Sequence, residues 1–160
     1  MSPPARQRGS VEGRGLRIAV LHSRFTEDVT GRLLEGALQA LREHGVPEPA
    51  VRVVEVPGAV ELPLAAERLA RAGGCDAIVC LGAVIRGETG HYEHVCRMAA
   101  DGILRVMLDT RVPVSFGVLT CEDHDQALAR SAPGRNKGYD AALVAIEMAN
   151  LARDLGGPDR

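Results

Sequence analysis

"DAIVCLGAVIRGETGHYEHV", residues Asp76–Val95, is the stretch that decides the fold. Its first part, Asp76–Leu81, is an apolar run with little alternation, as expected of a strand covered on both faces. From Gly82 the chain reads as a loop punctuated by Gly87 and Gly90, and at His91 the period changes. Val95, Ala99, Gly102, Ile103 and Val106 then fall on one face of a helix running to Asp109. Buried strand, glycine loop and helix, in that order, make half of a parallel α/β unit.

The rest of the chain repeats the pattern. Further apolar runs lie at Leu16–Leu21, Val51–Val56 and Pro113–Leu119. A helix over Glu27–His44 carries Val29, Leu33, Ala37 and Leu41 on one stripe and stops at Gly45. Others span Glu61–Ala72, ending before Gly73-Gly74, then Asp123–Arg130 and, after the break "SAPGRNKG", Tyr139–Arg153. Strict alternation predicts a small doubly wound α/β domain, four parallel strands with helices on both faces. That domain is expected over residues 16–155, between a flexible arm at 1–15 and a disordered tail at 156–160. The arm, "MSPPARQRGSVEGRG", is of a kind that docking on a neighbour would order. Ligands of such folds bind outside the carboxyl ends of the strands. The loops "HSRFTE", "PGAVELP", "GAVIRGETGH" and "FGVLTCEDH" leave that edge.

Composition narrows the function. A net charge of −2 gives no electrostatic case for nucleic acid or for an anionic membrane as partner. No apolar run approaches the roughly 20 residues of a membrane span, and the amino terminus lacks the apolar core of a signal peptide. Cys75, Cys80, Cys96 and Cys121 form no C-x-x-C pair and no zinc-like spacing, which suits reduced thiols in the cytoplasm.

Aromatic residues make up only 2% of the chain, and both phenylalanines fall at or near the predicted edge. Phe25 is a lone ring in a polar loop, suited to stacking on a heteroaromatic ligand. Phe116 lies late in the fourth strand, where a core role competes. In "RGETGH" the glycines permit close backbone approach, and the helix starting at His91 points free N–H groups at the loop, an arrangement that favours an anion such as phosphate. His91 in the first turn sits at the positive dipole end, a place suited to a ring that accepts and returns a proton. His94 follows three residues on, but H-Y-E-H is not a zinc motif and no third ligand is evident, so no metal is expected. Arg130, Arg135 and Lys137 surround the Pro/Gly break, as a solvated turn or, for Arg130, as a phosphate clamp.

Together "SRF", "VPGAVELP", "LGAVIRGETGHYEHV", "PVSFGVLT" and "NKGYDAALVAIEMANL" resemble, in order from Leu16 to Leu151, the 6,7-dimethyl-8-ribityllumazine synthases. The resemblance implies a flavodoxin-like three-layer domain assembled as homopentamers, in some members as a sixty-subunit icosahedral shell, with riboflavin synthase as a further partner. It implies the penultimate step of riboflavin biosynthesis: condensation of 5-amino-6-(D-ribitylamino)uracil with 3,4-dihydroxy-2-butanone 4-phosphate, releasing phosphate and water without a cofactor. By the same resemblance Phe25 stacks on the pyrimidine, Ala59, Val60 and Glu61 hold the ribityl side, and Val84 and Ile85 line the pocket. Glu88, Thr89 and Arg130 hold the phosphate, His91 shuttles protons, and Phe116 and Lys137 come from the adjacent subunit. The chain departs from the family pattern at Thr26, where Asn is usual, at Val60, where an aromatic is common, and in a break before Lys137 that is one residue short. A non-catalytic flavin or lumazine carrier, or a shell protein on the same fold, is the competing reading; it needs the rings but not His91, Arg130 and the anion loop together.

Overall fold

The computed structural model describes residues 1–156. Of the tail expected at 156–160, all but Gly156 therefore lies outside the described residues. Four parallel strands, β1 (Ile18–Ser23), β2 (Val51–Val56), β3 (Ala77–Ile85) and β4 (Val114–Cys121), form one sheet in the order β2-β1-β3-β4. This is the flavodoxin-like order, whose direction of winding reverses between β1 and β3. The helices are α1 (Glu27–Glu43), α2 (Leu62–Ala72), α3 (His91–Thr110), α4 (His124–Ser131) and α5 (Lys137–Asp154).

The absence of alternation in β1 and β3 has its reason in two cores, whereas β2, expected to be covered on both faces, is an edge strand that leaves Arg52, Val53 and Glu55 exposed. Ile18 and Val20 of β1 with Val79 and Leu81 of β3 pack under α1 and α5, against Leu33, Ala37, Ala142 and Ile146. On the other face Ala19, Leu21, Ile78 and Cys80 pack with Leu62 and Ala66 of α2 and Ala99 and Ile103 of α3. Every residue of β3 except Ile85 is buried.

Most element ends fall within two residues of the sequence reading, and three differences bear on the site and its surroundings. β3 does not stop at Leu81: the ladder continues from Gly82 opposite Val118 to Ile85 opposite Cys121, so Val84 and Ile85 are strand residues, not loop. Helix α5 begins at Lys137, because the Asn136 side chain accepts from Gly138 N–H (2.8 Å) and Tyr139 N–H (3.1 Å). The arm expected to be flexible is held by its own chain from Arg8 onward. Arg8 Nε donates to Glu147 (3.1 Å), and the Asn150 amide donates to the carbonyls of Ser10 (2.8 Å) and Glu12 (3.0 Å). A Cβ at Gly9 would collide with the Glu147 carbonyl, so this close passage over α5 requires glycine.

Strain collects at one residue beside the site. Thr26, the N-cap of α1, sits in the left-handed region at φ 62° and ψ 50°, and its carbonyl accepts from Val29 and Thr30 N–H, both at 3.0 Å. A β-branched residue there costs about 1–2 kcal/mol, whereas Asn tolerates the conformation. Thr26→Asn should raise the thermal unfolding midpoint by roughly 2–4 °C, the shift expected for about 1 kcal/mol in a domain of this size. A lower midpoint would show that the threonine is held without strain.

Candidate active site

The loops leaving β1, β2 and β3 meet at the carboxyl edge. Arg24 N–H donates to the Val56 carbonyl and Phe25 N–H to that of Pro57, both at 3.0 Å, stitching "SRF" to the exit of β2. The Phe25 ring, 61% exposed, lies against Gly58, where a Cβ would meet Cδ2 at 2.7 Å and Cε2 at 2.9 Å. Only glycine lets the ring settle there. Gly58 N–H donates to Glu61 Oε2 (2.9 Å), and Glu61 N–H returns to the Gly58 carbonyl (3.2 Å). That reciprocal cap closes the 3₁₀ turn Ala59–Glu61 and leads into α2. Ala59 is buried, Val60 half-buried, and Glu61 is exposed with one carboxylate oxygen engaged in the cap.

From β3 the chain reaches the glycine loop. Val84 is buried and Ile85 half-buried, while Gly87, Glu88, Thr89, Gly90 and His91 are all exposed. Among the described residues, no N–H from Gly87 to Gly90 donates to a backbone carbonyl. The N-cap of α3, Gly90, offers no side-chain cap, and Thr89 Oγ1 reaches His91 N–H only at 3.4 Å. A cluster of free donors at the start of a 20-residue helix is suited to an anion. His91 is the first residue of that helix, with His94 exposed one turn on.

Arg86, unassigned by the sequence, frames this loop. Its N–H donates to the Cys121 carbonyl (2.9 Å), its Nε donates to Glu122 (2.7 Å) and its Nη1 to Glu93. The guanidinium carbon stands 4.3 Å from the centroid of the Tyr92 ring. The Arg86 hydrogen bond holds the Glu93 carboxyl below the usual carboxylate range. "VIRG" alone offered no signal, because the carboxylates come from separate elements.

The remaining residues line another cleft, of about 420 Å³, along the edge strand β4. Phe116, Thr120, Arg130, Lys137, Asp140 and Val144 are among its walls. Phe116 is 46% exposed there, so it is not a core ring. Lys137 Nζ donates to Asp140 (3.2 Å) and Arg130 Nη1 to the Gln126 carbonyl (3.0 Å). Arg130, expected beside Glu88 and Thr89, is thus grouped within one chain with Phe116 and Lys137. The shortened break still fixes Lys137, because the Asn136 amide donates to the carbonyls of Ser131 (2.9 Å) and Arg32 (2.8 Å), clamping the start of α5 onto α1. A larger groove of about 740 Å³ between α1 and the turn before α5, lined by Glu35, Gln39, Glu43 and Tyr139, holds none of the residues singled out from the sequence.

Among the described residues, no group of three or more His, Cys, Asp or Glu side chains could hold a metal ion, and no helix is long and apolar enough to cross a membrane. Against known families, the model for 6,7-dimethyl-8-ribityllumazine synthase matches residues 15–153, nearly the whole chain. The chain belongs to that family, whose members are enzymes of riboflavin biosynthesis.

The Arg86–Glu93 pair carries a pH signature. A carboxyl held low in the folded state contributes stability above its ordinary range, and that contribution is lost as pH falls through the lowered value. The midpoint difference between the parent and Glu93→Gln should therefore be largest at neutral pH and shrink as pH falls through and below the ordinary carboxylate range. A difference independent of pH would mean that the pair carries no linkage.

Proposed function

We propose that this member of the lumazine synthase family condenses 5-amino-6-(D-ribitylamino)uracil with 3,4-dihydroxy-2-butanone 4-phosphate. The observation that carries the reading is the meeting, at one sheet edge, of an exposed ring fixed on Gly58, a loop of free amides, and a histidine at the first residue of α3. Phe25 stacks on the pyrimidine, and the 3₁₀ turn of Ala59, Val60 and Glu61 receives the ribityl chain. Val84 and Ile85 form the floor. The backbone of Glu88 and Thr89 takes the phosphate.

The chemistry is proton traffic beside a leaving anion. The pyrimidine amine attacks the ketone and water leaves as the imine forms. Loss of a proton then expels phosphate into the amide loop, and the ribitylamino nitrogen closes the ring with loss of a second water. His91 accepts and returns protons in these steps, and preorganised donors stabilise the departing phosphate.

One chain offers this edge open. The β4 cleft, with Phe116, Arg130 and Lys137, is the wall that each copy gives its neighbour in a homopentamer, closing the site by head-to-tail contacts. Exposed Leu64 of α2, Met98, Leu104 and Leu108 of α3, and Phe116 of β4 supply the apolar surface such contacts need. The four free thiols suit the cytoplasm as the compartment.

Mixing the protein with both substrates and following lumazine absorbance tests the reading; no turnover by folded protein would overturn it. His91→Ala should slow condensation by about a hundredfold or less, at the lower end for a general acid–base group, because amine and ketone are already reactive. Arg130→Ala should raise KM for the butanone phosphate about ten- to a hundredfold, the loss of one charge-assisted bond, and leave that for the pyrimidine near the parent value. Equal effects on both substrates would make Arg130 structural.

A further inference from the structure

We propose that Arg86 is a positioning residue that keeps the glycine loop receptive to an anion by pairing with the carboxylates of Glu93 and Glu122 beside it and cancelling part of their charge. The inference rests on the phosphate-loop reading above and adds a role that the free amides do not supply. Glu93 lies in the first turn of α3, where a carboxylate sits at the positive end of the helix. Unpaired, it would occupy the field that an incoming phosphate must use. Glu122 follows β4 directly and is likewise exposed. Arg86 engages both, Glu122 through Nε at 2.7 Å and Glu93 through Nη1.

The geometry requires a guanidinium. Two carboxylates from separate elements are met by different nitrogens of one rigid fork, while the plane rests on the Tyr92 ring at 4.3 Å. A lysine ammonium is a single point charge and does not reproduce that fork. The backbone of Arg86 is fixed by its bond to the Cys121 carbonyl, so the side chain starts from the last rung of the sheet. One residue thereby joins the end of β3, the segment after β4 and the first turn of α3, the elements that border Gly87–Gly90. As a partly exposed ion pair it adds little to stability. Its effect belongs to the loop's electrostatics.

The test separates charge from architecture. Arg86→Met, confirmed folded by circular dichroism, should raise KM for the butanone phosphate about tenfold, the penalty of roughly one uncompensated charge near the anion, and change that for the pyrimidine by less than about twofold. The triple variant Arg86→Met/Glu93→Gln/Glu122→Gln should return KM for the phosphate substrate toward the parent value. Inorganic phosphate titrated by ³¹P NMR provides a readout that needs no turnover: affinity should fall in Arg86→Met and recover in the triple variant. If Arg86→Met does not fold, Arg86→Lys serves, with an intermediate rise expected in the same KM. Unchanged phosphate affinity in a folded Arg86 variant, an equal rise in both KM values, or no recovery in the triple variant would overturn the proposal. Absence of turnover by the parent would instead overturn the catalytic reading, and the phosphate titration would still decide the role of Arg86.

Discussion

Strand β3 is paired on both edges and covered by helices on both faces, and the rest of the molecule is arranged around that burial. Its register with β1 sets the reversal of winding where the site lies, and its longer register with β4 carries the chain to Ile85 before the backbone is released. A nine-residue strand so enclosed cannot slip by one position without sending Val79 and Leu81 into the core that Ile78 and Cys80 occupy. The glycine loop is therefore delivered at a fixed height, and Arg86 at its root extends the constraint to the first turn of α3.

Close approaches around this strand place the remaining parts. Gly58 admits the Phe25 ring, and the Gly58–Glu61 cap holds the turn on which it rests. On the opposite face Gly36 lies against the Asn136 side chain and Gly138 against the Leu33 carbonyl, so α5 starts directly on the backbone of α1. That contact is what puts Lys137 on the wall of the β4 cleft. The candidate binding surfaces are thus consequences of backbone packing, with a few polar bonds setting the final angles.

Much of the fold was legible because hydrophobic period alone separates buried strands from amphipathic helices. What escaped the sequence was decided by pairing across the chain. Gly82 looked like the end of β3, yet the ladder with β4 carries the strand four residues further. The Pro/Gly break suggested that α5 began at Tyr139, but Asn136 captures two N–H groups and starts it at Lys137. The arm read as flexible because its composition is polar and Pro/Arg-rich, while its anchors, Glu147 and Asn150, lie at the far end of the sequence. At the site, the loops bearing Phe25 and His91 could be read from their place after strands. The grouping of Arg130 with Phe116 and Lys137 could not, because it depends on α4 folding back along β4. Arg86 carried no local signal, since both carboxylates it meets belong to other elements.

We propose that a complete site takes the Phe25–His91 edge from one chain and the β4 cleft from the next. The most direct measurement of this is complementation between His91→Ala and Phe116→Ala proteins, each impaired alone, unfolded together and refolded into mixed oligomers verified by native mass spectrometry. Interfaces that join an intact His91 edge to an intact Phe116 wall should give activity above the sum of the separate proteins. Strictly additive activity in mixed oligomers would place the whole site within a single chain and contradict a shared site.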